Sequence, residues 1–239
     1  MFDGNRSRTL TELFKIENEK AEKQSTEDLT IRILGDVSKV RRIGAKMSMG
    51  NIAIDGDVGM HLGEEMKGGT ITVAGNADSW AGSMMKSGTI EVKGNAGSYI
   101  GASYRGSTRG MRGGIIVIHG NAGNEVGCFM RGGLIKIYGN VEQFPGIHMK
   151  KGTVFVKGDS KGRAGAEMLD GKIVVGGHIP SVLPTFAIES IRPKVKVDKE
   201  EIAGPFYRFI GDLADSGNGK LFVAQTRNPH LKPYERFLQ

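Results

Sequence analysis

The chain has 239 residues, a formal net charge of +7 at pH 7 and a single cysteine. One cysteine excludes an internal disulfide framework, and no apolar run approaches the roughly 18 residues of a membrane span. Because no apolar run near the start resembles a secretory signal either, we expect a soluble, cytoplasmic protein that does not contact a membrane.

Residues 1–28 are mostly charged and polar. A small apolar patch at Leu10, Leu13, Phe14 and Ile16 interrupts them. We therefore predict a polar N-terminal segment over residues 1–28.

From residue 29 onward, a glycine followed by Asn or Asp recurs about every 19 residues. These anchor glycines are Gly35, Gly56, Gly75, Gly94, Gly120, Gly139 and Gly158, and the same spacing reaches Gly177. A fixed period near 20 residues is typical of a solenoid, whose coils must stack to bury a core.

Each repeat ends in two apolar residues that are separated by one residue. The pairs are Ile52/Ile54, Ile71/Val73, Ile90/Val92, Ile116/Ile118, Ile135/Ile137, Val154/Val156 and Ile173/Val175, preceded by Ile31/Ile33. A period of two with β-branched residues predicts a strand with one inward face. We expect an all-β, single-stranded parallel β-helix of about seven to eight coils over residues 29–178. The general preference for right-handed parallel connections predicts its hand.

Glycines also recur seven and thirteen residues after the anchor, which predicts three corners per coil. We expect the anchor Gly-Asn or Gly-Asp pair to supply the unusual backbone angles of a bend. The Asn/Asp column also allows hydrogen-bond ladders between coils.

Ten residues after each anchor, once two short insertions are allowed for, comes a methionine: Met47, Met66, Met85, Met111, Met130, Met149 and Met168. Stacked thioethers can bind soft metals such as Cu(I). Methionine is also an adaptable apolar filler, and we interpret the column as core packing.

The position after the methionine is basic in five consecutive coils: Lys67, Lys86, Arg112, Arg131 and Lys150. We call this row the basic stripe. Like charges in a row are tolerated more readily when acidic groups face them, so these residues are candidate partner contacts. The alternative is a solvated face, or local pairing with Glu64, Glu65 or Glu91.

A seven-residue insertion, residues 104–110, lengthens the fourth repeat and carries Tyr104, Arg105 and Arg109. Protruding Tyr and Arg side chains are favoured at interfaces. We predict that the insertion is a docking surface.

Six of the seven prolines follow residue 179, which predicts that the solenoid ends near residue 178. In the tail, residues 194–197 and 221–224 read as strands, residues 206–213 are apolar and residues 216–219 form a turn. We predict that residues 179–239 are a cap and extension that cover the open end of the sheet.

The remaining candidates for chemistry are weak. The five histidines share no column and no metal-ligand spacing, and Cys128 has no histidine near it in the sequence. We therefore predict no catalytic, cofactor-binding or metal-binding residue in this chain.

Six segments together resemble a known family: residues 35–44, 54–69 (IDGDVGMHLGEEMKGG), 75–82, 104–114 (YRGSTRGMRGG), 183–186 and 204–214. They are similar to the C subunit of formylmethanofuran dehydrogenase. The repeat is also similar to the Gly-x-Gly-x-Gly β-helix domain of the glutamate synthase large subunit. The insertion and the tail are therefore the segments specific to the C-subunit family. The family usually carries a longer leader before a segment like residues 3–6, and we expect a shorter native start here or a different start site.

The resemblance implies an archaeal, methanogenic complex that reduces CO2 to formate on a tungsten or molybdenum pterin. A zinc amidohydrolase-like subunit then joins formate to methanofuran, and ferredoxin-like subunits with iron–sulfur clusters supply electrons. These cofactors are expected in partner subunits, since one cysteine cannot hold a cluster. A formyltransferase/hydrolase complex of methylotrophic bacteria uses a similar C subunit, so the fold alone does not decide the reaction.

We predict a non-catalytic scaffold that positions the amidohydrolase-like and pterin-binding subunits. One alternative is a polyanion-binding module, in which the basic stripe holds an acidic coenzyme tail rather than nucleic acid. A second is the C subunit of the bacterial complex. A glutamate-synthase-like ammonia channel requires amidotransferase and flavin domains that this sequence lacks.

Overall fold

The computed structural model describes residues 2–3, 6–17 and 29–238. Its N-terminal part is a short antiparallel pair, β1 (Phe2–Asp3) and β2 (Arg6–Ser7), followed by the helix α1 (Leu10–Leu13). Phe14 packs against the main core, whereas Leu10, Leu13 and Ile16 are exposed. The remainder of the predicted polar segment, residues 1, 4–5 and 18–28, lies outside the described residues.

The predicted β-solenoid is confirmed. One strand per coil forms a parallel sheet, and the strands are β3 (Thr30–Ile33), β4 (Asn51–Ile54), β5 (Thr70–Val73), β6 (Thr89–Val92), β7 (Ile115–Ile118), β8 (Arg131–Ile137), β9 (Lys151–Val156) and β10 (Lys172–Val175). Equivalent repeat positions pair directly, as Ile52 with Ile71 and Ile71 with Ile90. The sequence period therefore sets the register of the sheet, because each coil advances by one strand spacing.

The methionine column lies in the core, as predicted. The six methionines from Met66 to Met168 are fully buried among the inward-facing Ile and Val residues. Each methyl group reaches the next coil: a Cβ atom placed on Gly88 would lie 2.9 Å from Met66 Cε. Each methionine thus packs beneath a corner glycine of the next coil, a position that an unbranched, flexible side chain fills well.

The anchor glycines serve a different purpose from the one predicted. Among the anchors, only Gly35 has a positive φ, so the expectation of unusual backbone angles is wrong for the others. They are needed for close approach: a Cβ on Gly75 would lie 2.3 Å from Asp57 Oδ1. Positive φ angles occur instead in the other two glycine columns, as at Gly63 (φ +62°).

The residues after the anchors form the predicted ladder between coils. The backbone N–H of Asn76 donates to Asp57 Oδ1 at 2.7 Å, and that of Asn95 donates to Asn76 Oδ1 at 2.8 Å. The pattern continues up to His178, whose N–H donates to Asp159 Oδ1. The side-chain oxygens thereby satisfy backbone donors at the corner of each coil.

After the last repeat, the chain returns to the same sheet. The strands β11 (Ala187–Val197) and β12 (Glu200–Gly211) form a long antiparallel hairpin, and a short 3-10 helix (Leu213–Asp215) leads to β13 (Gly219–Ala224). β13 pairs with β10 in parallel and with β12 in antiparallel fashion. The sheet therefore continues beyond residue 178, and the predicted strands at 194–197 and 221–224 lie within β11 and β13.

The hairpin also covers the outer face of the sheet. A second apolar cluster joins outward-facing residues of the coils to the hairpin, with Leu134, Phe155 and Val174 on one side and Val195, Val197 and Phe206 on the other. Lys136 Nζ lies 2.9 Å from Glu200 Oε1 beside this cluster. The last coils are therefore buried on both faces of the sheet.

The C-terminal residues complete the end of the solenoid. A 3-10 helix (Pro229–Phe237) follows Asn228, which is completely buried. The Asn228 side chain accepts from Ile179 N and donates to the carbonyls of Gly177 and Ala224 at 2.8–2.9 Å. Over the described part of the chain, no helix is long and apolar enough to cross a membrane.

Candidate functional site

The five residues of the basic stripe lie in one column on consecutive coils. The backbone N–H of each donates to the carbonyl of a core methionine one coil earlier, as from Lys86 to Met66 and from Arg112 to Met85, both at 2.7 Å. Lys67, Arg112 and Lys150 are exposed, while Lys86 and Arg131 are half-buried. Because these backbone bonds hold the coils in register, the cations line up as the sequence predicts.

The glutamates considered as local partners are engaged elsewhere or unpaired. Glu64 pairs with Arg42 at 3.1 Å, and Glu91 contacts Lys93 and His119. The two contacts to Glu91 lower the pKa of its carboxyl. Within residues 29–238, no ion pair joins a carboxylate to Lys67, Lys86, Arg112 or Lys150. Four of the five stripe charges are thus available to a ligand or partner.

Arg131 differs from the rest of the stripe because it holds the insertion. Its guanidinium Nε and Nη2 both donate to the carbonyl of Thr108, at 3.2 and 3.1 Å. A turn closed by Ser107 N to the carbonyl of Tyr104, at 2.9 Å, shapes the other end of the insertion. The structure therefore joins the insertion to the stripe residue of the next coil, so that the two features form one surface.

The three candidate side chains of the insertion point in different directions. Arg105 and Arg109 are exposed. The ring of Tyr104 folds back, with its centroid 5.3 Å from that of His61 and 6.3 Å from that of Trp80, edge-on to both. Tyr104 is thus half-covered by the coils below it instead of projecting freely.

The rings beneath Tyr104 belong to a column that was not predicted from the sequence. His61, Trp80 and Tyr99 lie five residues after their anchors and stack with centroids 5.4 and 4.6 Å apart and planes within 13°. We call these three residues the aromatic ladder. Aligning the repeats reveals the column. The stacked geometry is harder to predict, because all three residues have φ near +64°, a conformation that bulky residues rarely adopt.

A cleft of about 190 Å³ separates the ladder from the insertion. Its walls include Trp80, Tyr99, Tyr104, Glu125 and Phe129. Pockets for cofactors and drug-sized ligands measure about 300–1,000 Å³. This cleft therefore suits a group the size of one side chain.

Cys128 also borders the cleft but is buried. Burial, followed by the neighbouring Glu125 carboxylate, raises the pKa of the Cys128 thiol to about 12. The thiol is therefore neutral near pH 7, which makes it a poor nucleophile and a poor metal ligand.

The histidines are engaged in local contacts. His148 stacks on Phe129 and lies 3.2 Å from Glu167, while a nitrogen of His230 lies 2.9 Å from the carbonyl of Ile179. Across the described residues, no cluster of three His, Cys, Asp or Glu side chains could hold a metal ion.

Comparisons with known proteins place this geometry in context. No model of a known protein family matches the sequence. The chain superposes on a chain of the formyltransferase/hydrolase complex (FhcABCD) from Methylorubrum extorquens, solved in complex with methylofuran. The TM-score is 0.72 and the identity 31%, over 82% of this chain and 78% of the other.

Curated relatives agree with this match. The C subunit of molybdenum-containing formylmethanofuran dehydrogenase 1 from Methanothermobacter marburgensis is 47% identical over 62 residues. The same identity holds for the Methanothermobacter wolfeii protein. The chain belongs to the family of formylmethanofuran dehydrogenase C subunits.

The two kinds of match differ in extent. The aligned segment spans 26% of this chain and only 14% of the curated C subunits. The structural match, by contrast, includes most of the chain. The resemblance of the chain to this family is thus confirmed.

Proposed function

We propose that this homologue of the C subunit is a non-catalytic scaffold in a formylmethanofuran dehydrogenase. That complex reduces CO2 to formate and fixes it on methanofuran, the first step of methanogenesis. The chain would position the amidohydrolase-like and pterin-binding subunits, with ferredoxin-like subunits beyond them. The observation that carries the proposal is the match over 82% of this chain to one chain of a complex with several different subunits.

The surface of the solenoid supports this role. The stripe cations Lys67, Lys86, Arg112 and Lys150 and the exposed Arg105 and Arg109 form one basic surface on a rigid stack of coils. A partner with acidic groups would neutralise these charges. The neutral Cys128 thiol and the engaged histidines are consistent with placing the tungsten or molybdenum pterin, zinc and iron–sulfur clusters in the partner subunits.

Affinity purification of the full chain from its native host, followed by mass spectrometry, tests the assembly. We expect amidohydrolase-like and pterin-binding subunits in stable stoichiometry. A variant with Lys67→Glu and Lys150→Glu should lose at least one subunit, whereas Lys39→Glu with Lys199→Glu, an equal charge change at exposed sites off the stripe, should not.

Assays of the isolated chain test the non-catalytic role. We expect no turnover of CO2 or formate and no stoichiometric metal by elemental analysis. Turnover, or one metal ion per chain, would refute the proposal.

A second candidate is the C subunit of a formyltransferase/hydrolase complex of the bacterial kind. The observation that favours it is the extent of the structural match. The match to the bacterial complex covers 82% of this chain, whereas the sequence match to the curated dehydrogenase subunits covers 26%. The same purification separates the two: a formyltransferase subunit without a pterin-binding subunit supports this candidate and contradicts the dehydrogenase.

A third candidate is a polyanion-binding module, favoured by the stripe cations that have no carboxylate partner within residues 29–238. Poly-glutamate, used in place of an acidic coenzyme tail, should bind at low salt and dissociate at high salt, because exposed charges are screened. Affinity that does not change with salt would count against it.

A further inference from the structure

The aromatic ladder is interrupted at one coil. The column that holds Trp80 and Tyr99 continues through Glu125, Phe144 and Arg163, each five residues after its anchor and each with φ between 56° and 65°. Trp80 covers one face of the Tyr99 ring. On the other side the next position holds a carboxylate instead of a ring, and no other ring in the described part of the chain stacks on that face.

The missing ring is replaced by an unpaired negative charge. Among the residues that the structure describes, no cation lies within ion-pair distance of Glu125. The neighbouring Cys128 thiol hydrogen-bonds to this carboxylate, but the thiol is neutral and does not balance the charge. A half-buried carboxylate beside aromatic rings lacks full hydration, which favours a bound cation.

The same column already contains the arrangement that would fill the gap. The guanidinium of Arg163 lies 5.1 Å from the centroid of the Phe144 ring. A guanidinium is planar and stacks on aromatic rings, while its N–H groups can pair with a carboxylate. A lysine ammonium is compact and more strongly hydrated, so it gains less from a stacked face.

The geometry points to an arginine-binding cleft on this protein. The guanidinium of an arginine from a partner protein stacks on the free face of Tyr99, pairs with the Glu125 carboxylate and is closed in by Tyr104. The volume of about 190 Å³ accommodates one such group. The inference rests on the proposed scaffold role only for the source of the arginine.

The fluorescence of Trp80 reports on binding, since Trp80 is the only tryptophan in the chain and lines the cleft. The full-length chain is titrated with N-acetyl-arginine amide while Trp80 emission is recorded. We expect a saturable change with a dissociation constant in the millimolar range, on the order of 1 mM, as for a single small group. N-acetyl-citrulline amide has a similar shape and no charge, and should give no saturable change.

Variants assign the binding to the cleft. Glu125→Gln should weaken the affinity at least tenfold, whereas Glu142→Gln, which removes an equal charge from the next coil, should leave it unchanged. Circular dichroism checks the fold of both, and Tyr104→Ala in the insertion is a second cleft variant if Glu125→Gln fails to fold. No saturable response, equal binding of citrulline or unchanged affinity in the cleft variant would overturn the inference.

Arg105 borders the cleft and is the competing occupant within the chain. If the arginine comes from a partner, Arg105→Ala should not change the affinity for the arginine analogue. A tenfold gain would show that Arg105 fills the cleft and would overturn the partner assignment. Failure to bind the analogue, with partner subunits still present after purification, would refute the cleft and leave the scaffold proposal intact.

Discussion

At the scale of single residues, stacking offsets part of the strain of unusual backbone angles. His61, Trp80 and Tyr99 adopt the left-handed conformation, which costs of order 1–3 kcal/mol per residue. Each aromatic pair contributes about 0.5–1.5 kcal/mol beyond burial. Because the coils repeat, the same conformation recurs in one column, and Trp80 stacks on the rings of both His61 and Tyr99.

His61 should make the stability of the protein depend on pH. It is 8% exposed, and its Nδ1 has no hydrogen-bond partner. Burial is the largest effect and lowers the pKa of His61 below its ordinary value, despite the opposing Glu64 carboxylate. The unfolded chain therefore binds the proton more readily, so stability is full above about pH 6.5 and falls below it.

We expect the Tm of the wild type to fall between about pH 7.5 and pH 5.5. His61→Phe, which keeps a stacking ring, should show a shallower fall. His178→Gln, at an exposed histidine, should keep the wild-type slope. Equal slopes in wild type and His61→Phe would contradict the assignment.

At the scale of elements, the two additions to the regular coil are held by different forces. Polar contacts of Arg131 with Thr108 fix the insertion, whereas apolar packing fixes the hairpin β11–β12 on the outer face of the sheet. Outward-facing positions change from Thr70 and Thr72 on β5 to Leu134 on β8 and Phe155 on β9. One of the two outward-facing positions in each of these strands is therefore apolar, which is the sequence signal for a covered face.

Arg131→Ala should loosen the insertion. Trypsin cleaves after arginine, so cutting at Arg105 and Arg109 reports on the mobility of this segment. We expect cleavage several times faster than in the wild type, because the carbonyl of Thr108 loses both donors. Arg112→Ala, at the neighbouring stripe position, should match the wild type, and slow cleavage in both variants would rule out this role for Arg131.

Phe155→Ala should destabilise the hairpin and the coils beneath it. Phe155 is 4% exposed in the outer cluster, and a buried Phe→Ala change costs about 3 kcal/mol or more. Thr72→Ala, at the equivalent position of an uncovered coil, should change the free energy of unfolding by less than about 1 kcal/mol. Urea unfolding measures both, and similar values would mean that the outer cluster adds little.

At the scale of the whole molecule, the two ends of the solenoid are unlike. β13 closes the last coil through its pairing with β10, and Asn228 ties the tail to residues 177–179. At the other end, β3 is the edge of the sheet, with Leu29, Ile31 and Leu34 exposed. Since each coil depends on its neighbours, the closed end protects the stack from fraying.

The substitution Asn228→Ala tests how much Asn228 stabilises the closed end of the solenoid. The change leaves the N–H of Ile179 and the carbonyls of Gly177 and Ala224 without their partner, and unsatisfied buried groups cost about 1–3 kcal/mol each. We expect a loss of at least about 2 kcal/mol in urea unfolding. Asn218→Ala, in an exposed turn, should have little effect, and an equal loss there would argue against a special role for Asn228.

Much of the fold was predictable because the repeat relates neighbours by a constant spacing. The strand pairs, the buried methionines, the Asn/Asp ladder and the cation row all follow from that period. The anchor glycines were misinterpreted, since the period reveals a column but not whether φ or close approach demands glycine. The cleft was not predicted, because Tyr104 reaches His61 across 43 residues by a route that only the folded insertion defines.

The sequence by itself determined which residues stack, since equal spacing places equivalent positions one above another whatever their side chains. Only the tertiary structure decided where the irregular segments go. β13 returns to the sheet after the hairpin, the hairpin folds onto the outer face, and the insertion bends between the basic stripe and the aromatic ladder. These contacts depend on side-chain packing over long and unequal separations, for which the sequence contains no repeated distance.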